Sequence, residues 1–232
     1  MASPKAVIFD VDGTLIDTVD LHAQAWVEAL RHFGVETAFQ DMRVQIGKGG
    51  DQLLQGLIPP DRLDREGEEI QSFRADLFKR KHLRQARAFP GVRDLFQRIR
   101  DAGQHIVLAS SGKADEVDAY KEIAGIADLI DNATSSDDAE RSKPFPDIFQ
   151  AAFDKLGLAD PAQAVVIGDT PYDAEAARQA GLATIGVLCG GFAEEALRAA
   201  GCIAVYRDPQ HLLEDFDRSP LAVGVAWASM RT

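Results

Sequence analysis

Two carboxylates separated by one residue, Asp10 and Asp12, follow the apolar run Ala6-Val7-Ile8-Phe9 and lead into Gly13-Thr14. A short apolar run of this kind reads as a buried parallel strand. Alternate residues of an extended chain project the same way, so both acids belong to the carboxyl end of that strand. Like charges held so close raise one pKa or recruit a divalent cation. Gly13 lets the backbone leave the strand sharply. The bland reading makes these residues a turn or a cap.

Three further groups have residue types suited to chemistry. Ser110-Ser111-Gly112 follows the apolar run His105 to Ala109. Ser142-Lys143-Pro144 precedes a proline-flanked helix start at Pro146, and Gly168-Asp169-Thr170-Pro171-Tyr172-Asp173 follows the run Ala164 to Ile167. Open α/β sheets bind ligands beyond the carboxyl ends of their strands. Four loops therefore bring two acids, a hydroxyl, an ammonium and two more acids to one edge. That set suits attack by a carboxylate on phosphorus, with Mg²⁺ and a lysine countering charge. Hard oxygen donors without clustered Cys or His favour Mg²⁺ over zinc.

The elements that must position these residues alternate after residue 88. A helix near 91–102 carries Val92, Leu95, Phe96 and Ile99 on one face and stops at Gly103. A strand over His105 to Ala109 and a helix near 113–124 follow. Next come a short strand at Leu129-Ile130, a helix from Pro146 to near Gly157, a strand at 164–167, a helix at 171–180 and a strand at 183–188. A helix near 193–200 and a strand at 203–205 end the series. This alternation predicts an α/β fold, a Rossmann-like parallel sheet with helices on both faces. Residues 17–87 read as helices only. Asp17 or Thr18 caps the first, which bears Trp26, Ala29, Leu30 and Phe33 and stops at Gly34. A longer helix carries Ile70, Phe73 and Leu77. The expected organisation is a core of residues 1–16 and 88–232 with an inserted all-helical cap domain over 17–87.

The 232 residues are 46% hydrophobic, enough for a proper core. The net charge of −12 argues against nucleic-acid and anionic-membrane partners. No run is long enough for a membrane helix and no signal peptide is read, and Cys189 and Cys202 have no metal-type spacing. These features predict a cytoplasmic protein with two free thiols.

The four motifs, in this order and spacing, resemble those of the haloacid dehalogenase-like superfamily. The resemblance runs to about residue 214 and lies in the branch with a helical cap after the first motif, which includes phosphoglycolate phosphatases and β-phosphoglucomutases. It implies a Mg²⁺-dependent phosphatase of small phosphorylated metabolites. Carried onto this chain, it makes Asp10 the nucleophile that forms an aspartyl-phosphate. Asp12 becomes the general acid and then the general base, with Thr14 orienting it. Asp169 binds the metal with Asp10 and the carbonyl of Asp12. Ser110 hydrogen-bonds a phosphoryl oxygen, helped by the N–H groups around Ser111 and Gly112, and Lys143 stabilises the phosphoryl oxygens. Asp173 supports the metal's water shell or pairs with Lys143, or else only caps the helix begun by Thr170. Ser110 likewise reads as a helix cap, and Lys143 as a solvated charge.

The inserted block should decide the substrate. His22 lies one turn before Trp26 on the same face and reaches a leaving group or serves structure. In Gln45-Ile46-Gly47-Lys48-Gly49-Gly50-Asp51 three glycines permit close approach, and Lys48 can meet an anionic group. The bland alternative is a helix–helix turn. Arg74 is a further candidate contact. A sugar phosphomutase is the second expectation, although its cap loop carries an arginine and a serine where this chain has Gly49-Gly50. Asp12 and Asp169 count against a dehalogenase, and the full motif set counts against a non-catalytic binding member. Phosphoglycolate, a sugar phosphate, a nucleotide and pyrophosphate all stay open as substrates. The tail Leu221-Ala-Val-Gly-Val-Ala-Trp227 reads as a strand-like arm on the core, a cover for a partner, or disorder.

Overall fold

A computed structural model describes residues 3–224. Strand β1 (Ala6–Phe9) is followed by a two-residue strand β2 (Ile16–Asp17). Four helices come next: α1 (Val19–His32), α2 (Phe39–Arg43), α3 (Gly50–Gln55) and α4 (Pro60–Lys81). Strand β3 (Arg87–Ala88) closes this block, pairing antiparallel with β2 so that Asp17 faces Arg87. The alternating part then runs α5 (Val92–Asp101), β4 (His105–Ala109), α6 (Ala114–Ala124), β5 (Asn132–Thr134) and α7 (Asp147–Asp154). It continues with β6 (Ala164–Gly168), α8 (Pro171–Gln179), β7 (Ala183–Val187), α9 (Glu194–Ala200), β8 (Ala204–Tyr206) and α10 (Pro209–Glu214).

The six longer strands form one parallel sheet in the order β5-β4-β1-β6-β7-β8. Both faces are apolar and side chains alternate between them. Val7, Phe9, Ile106, Leu108, Val165 and Ile167 enter one core. Ala6, Ile8, Val107, Ala109, Ala164 and Val166 enter the other, against α7 and α8. The strand order turns back between β1 and β6, and in open α/β sheets that point leaves a crevice beyond the carboxyl ends. Asp10 follows β1 and Asp169 follows β6, so the crevice opens between them.

The helical block has its own apolar centre, including Trp26, Leu30, Met42, Leu54 and Ile70. Along α4, Ile70, Ala75 and Phe78 are buried, whereas Phe73 and Leu77 are half-buried. Two expectations need correction. The block is not helical to its ends, because Asp17 and Arg87 belong to the β2–β3 ribbon that ties its entry to its exit. The third strand is not Leu129-Ile130. Residues Ala127–Leu129 wind as a 3₁₀ turn that buries Leu129, so the chain joins the sheet only from Asn132. Of the tail, Pro220–Val223 is a short helix rather than a strand, with Leu221 buried and its carbonyl accepting from Gln104 Nε2. Trp227 lies outside the described residues. No helix among the described residues is long and apolar enough to cross a membrane.

Candidate active site

Asp10 leaves β1 still bound to the sheet, its N–H donating to the Ile167 carbonyl at 2.9 Å. Its side chain is buried, and one oxygen accepts from Lys143 Nζ. Lys143 is only 1% exposed and also donates to Asp173 Oδ1 at 2.8 Å. Asp173 meanwhile closes a capping box at the start of α8: its Oδ2 accepts from the Thr170 N–H at 3.0 Å and the Thr170 hydroxyl at 2.7 Å. The two readings of Asp173, cap and lysine partner, hold together, one on each oxygen. Lys143 is a buried cation and not a solvated one.

Asp169 is wholly buried, and carboxylate oxygens of Asp10, Asp169 and Asp173 lie within 4.8 Å of one another. Thr14 Oγ reaches Asp10 Oδ2 and Asp169 Oδ1, each at 2.9 Å. A hydroxyl has one proton to donate, so it can satisfy only one of the two carboxylates. Burial pushes the Asp10 carboxyl well up, Lys143 pulls it down, and Asp173 and Asp12 add to the rise. Burial, Asp10 and Asp173 raise Asp169 in the same way. Burial also opposes the charge of Lys143, but Asp10 and Asp173 outweigh it and hold the proton on.

These residues fit a divalent cation. Three buried acids face one buried lysine, which leaves an excess of two negative charges when all are ionised. Asp169 Oδ2 has no hydrogen-bond partner, an exception that calls for an occupant. The backbone around it is pared down to admit one. A Cβ on Gly13, where φ is +83°, would come within 2.4 Å of that oxygen, and a Cβ on Gly190 within 1.6 Å.

Asp12 has partners of its own. Thr18 donates to its Oδ1 at 2.6 Å, and His22 Nε2 lies 2.9 Å from the same oxygen. Arg74 Nη1 is 3.3 Å from His22 Nδ1. Arginine only donates, so Nδ1 accepts and Nε2 carries the proton toward Asp12. Burial works to raise the Asp12 carboxyl, but His22, with Thr18 and Tyr120, brings it down to about 2. One expectation changes here. Thr14 does not orient Asp12, because its hydroxyl is spent between Asp10 and Asp169; Thr18, read only as a helix cap, makes that bond and no cap bond. The Asp12 side chain is outside the acid cluster, which Asp173 completes.

Asp10, Asp12 and Lys143 open into a cleft of about 480 Å³, counting space open to solvent. Its other walls are His22, Trp26 and Arg74 from α1 and α4, Ile46 to Gly50 from the glycine segment, and Ser111, Gly112 and Glu116. Ser110 is buried behind this wall, its Oγ accepting from the Gly112 N–H at 3.0 Å, with its own proton still to donate. Lys48 donates to Gln45 at 2.7 Å and lies 4.7 Å above the Tyr172 ring. The glycines here serve contact between elements: a Cβ on Gly49 would fall 2.0 Å from Ser142 Oγ, and one on Gly50 2.5 Å from Gln71. Sequence reasoning overlooked Glu116 and Tyr120. Both occur on the apolar side of α6 with Val117, where a glutamate at a core-facing position is the signal that was available.

The sequence matches the haloacid dehalogenase-like hydrolase family over residues 4–181. The probable phosphatase IndB of Dickeya dadantii is 32% identical over 97% of this chain and 94% of that protein. The fructose-1-phosphate phosphatase YqaB of Escherichia coli is 26% identical over 78% of this chain and 95% of that protein. The crystal structure of a hydrolase from Pseudomonas syringae superposes with a TM-score of 0.83 at 32% identity, covering 92% of this chain and 98% of that one. Motif, sheet order and these likenesses agree, and the chain belongs to the haloacid dehalogenase-like hydrolases.

Proposed function

We propose that the chain is a phosphatase of small phosphorylated metabolites in which Asp10 is the nucleophile. The observation that carries this is the Asp10–Lys143–Asp173 contact beside the unpartnered Asp169 oxygen. A carboxylate buried against an ammonium can attack phosphorus while the same ammonium draws the phosphoryl oxygens. The names of the relatives IndB and YqaB support the reading.

Asp10 attacks phosphorus, the bond to the leaving oxygen breaks, and the phosphoryl group rests on Asp10. His22 and Thr18 hold Asp12 ionised in the empty site; the negative charge of a bound ester raises its proton affinity, so that Asp12 takes up a proton, passes it to the leaving oxygen and later takes one from the water that frees phosphate. Lys143 and the Ser111 N–H meet the transferred oxygens, and the Ser110 hydroxyl, held by the Gly112 N–H, has its proton to add from behind them. Asp10, Asp169 and the Asp12 carbonyl would hold Mg²⁺, with Asp173 beside them; when bound it supplies positive charge against the phosphoryl oxygens. Residues 17–87 act as a cap whose His22, Trp26, Lys48, Gly49, Gly50 and Arg74 shape the leaving-group side. The two unpaired cysteines fit a reducing cytoplasmic setting.

Phosphate release across a panel of phosphate esters, with and without chelator, tests the reading. Wild type should release phosphate and lose that activity in chelator, Mg²⁺ should restore it, and D10N should release none. Turnover retained by D10N would end the nucleophile assignment, and an isomerised sugar phosphate in place of free phosphate would move the chain to the mutases.

A further inference from the structure

Resting on the phosphatase reading, we propose that Glu116, with Arg74, selects hydroxylated leaving groups and rejects substrates that bring a second anionic group to the same side of the cleft. Glu116 is on α6 in the core, 1% exposed, and lines the cleft that holds Asp10 and Asp12. Neither of its carboxyl oxygens has a hydrogen-bond partner, and Arg74 Nε and Ser111 Oγ are also without one. The nearest charged contact, Arg74 Nη1 to Glu116 Oε1, is 3.9 Å, beyond hydrogen-bond range.

A buried carboxylate with both oxygens unbonded is an unusual expense in a folded chain. At a cleft wall the missing partners are those of a ligand. Two unbonded carboxylate acceptors beside an unbonded guanidinium N–H and an unbonded hydroxyl match neighbouring alcohol hydroxyls, each of which both donates and accepts. The neighbours select further among ligands. Arg74 and Lys48 line the same cleft, so an ammonium there would meet two cations. A carboxylate or second phosphate would be drawn to Arg74 and Lys48, but it has no proton to donate, so it would leave both Glu116 oxygens unbonded and set a like charge beside them. Neutral hydroxyls satisfy both sides. Arg74 is carried by α4 and Glu116 by α6, so the ligand would bridge the helical block and the core.

The test compares kcat/KM for glycerol phosphate and a hexose phosphate with that for phenyl phosphate, phosphoglycolate and pyrophosphate, in wild type and in E116A and E116Q. Wild type should favour the hydroxylated esters over the other three by about tenfold or more. E116A should cut the ratio of hydroxylated ester to phenyl phosphate by about tenfold, mostly through KM. E116Q, close in shape to the native residue, keeps the test alive if E116A does not fold, and should raise phosphoglycolate and pyrophosphate several-fold relative to the hydroxylated esters. A wild type that prefers either of those two, or ratios that stay within twofold in both variants, would overturn the assignment while leaving the phosphatase reading in place. Absence of phosphate release from every ester in wild type would instead remove that reading, and this proposal with it.

Discussion

Replacing Lys143 by methionine tests the charge balance on which the site depends. The ammonium is 1% exposed and is held by Asp10 and by Asp173 at 2.8 Å. Methionine keeps most of the volume and removes the charge. Asp10, Asp169 and Asp173 then share a buried volume without any buried cation beside them. Breaking a buried pair by deleting one partner costs roughly 3–5 kcal/mol, because the other charge is stranded. For a chain of this size each kcal/mol moves Tm by about 2–4 °C, so K143M should melt roughly 6–20 °C below wild type in chelator. The same change in a D10N background should cost less, since one stranded carboxylate is already neutral; a coupling of about 1–3 kcal/mol is expected for groups in direct contact. Urea or thermal unfolding of the four proteins, followed by circular dichroism in chelator, measures both quantities. A K143M melt within 2 °C of wild type, or costs that simply add, would refute the argument that Lys143 offsets the buried acids.

Two other expectations follow from neighbouring contacts. G190A should lose affinity for Mg²⁺, read as a smaller Mg²⁺-induced rise in Tm, because the new Cβ would meet Asp169 Oδ2 at 1.6 Å; an undiminished shift would put the ion elsewhere. His22 and Thr18 depress Asp12 from 3.8 to about 2 against the push of burial, which is worth roughly 2 kcal/mol of stability above pH 4. A depressed carboxyl loses this contribution as pH falls through its folded value, so the stability gap between wild type and H22N should close between about pH 4 and 2; a gap that persists at pH 2 would show that His22 stabilises by packing alone.

Most of the sheet was legible because each strand is apolar on both faces and each helix has a regular apolar stripe. His105 to Ala109 and the α5 face of Val92, Leu95, Phe96 and Ile99 are observed as read. The third strand was misplaced because Leu129 and Ile130 look like strand residues while Leu129 is buried by a turn, a decision made by packing rather than by local preference. Motif positions after strands could be read, since parallel topology alone brings those loops to one edge. Hydroxyl partners could not. Thr14 lies in the turn after β1 and Thr18 beyond strand β2, and which acid each serves depends on how the chain leaves Gly13. Glu116 was lost in a helix whose charged residues mostly face water. Its helical spacing with Val117 and Tyr120 is what sets it apart from Asp115 and Asp118, which are exposed.

Asp10 and Asp12 carry the same sequence signal but are governed by different parts of the chain. The charge on Asp10 depends on cations: burial and the neighbouring acids oppose it, and Lys143 is the group that favours it. The charge on Asp12 depends on the helical block, since His22 and Thr18 are the leading influences that favour it and both belong to the entry of α1. Inserting the block directly after the acid pair therefore has a chemical consequence. Its first turn begins close enough to Asp12 to bond it, while its later helix α4 brings Arg74 to the far nitrogen of the same histidine. Asp10 answers to fixed charge in the core, and Asp12 to the histidine that the helical block supplies.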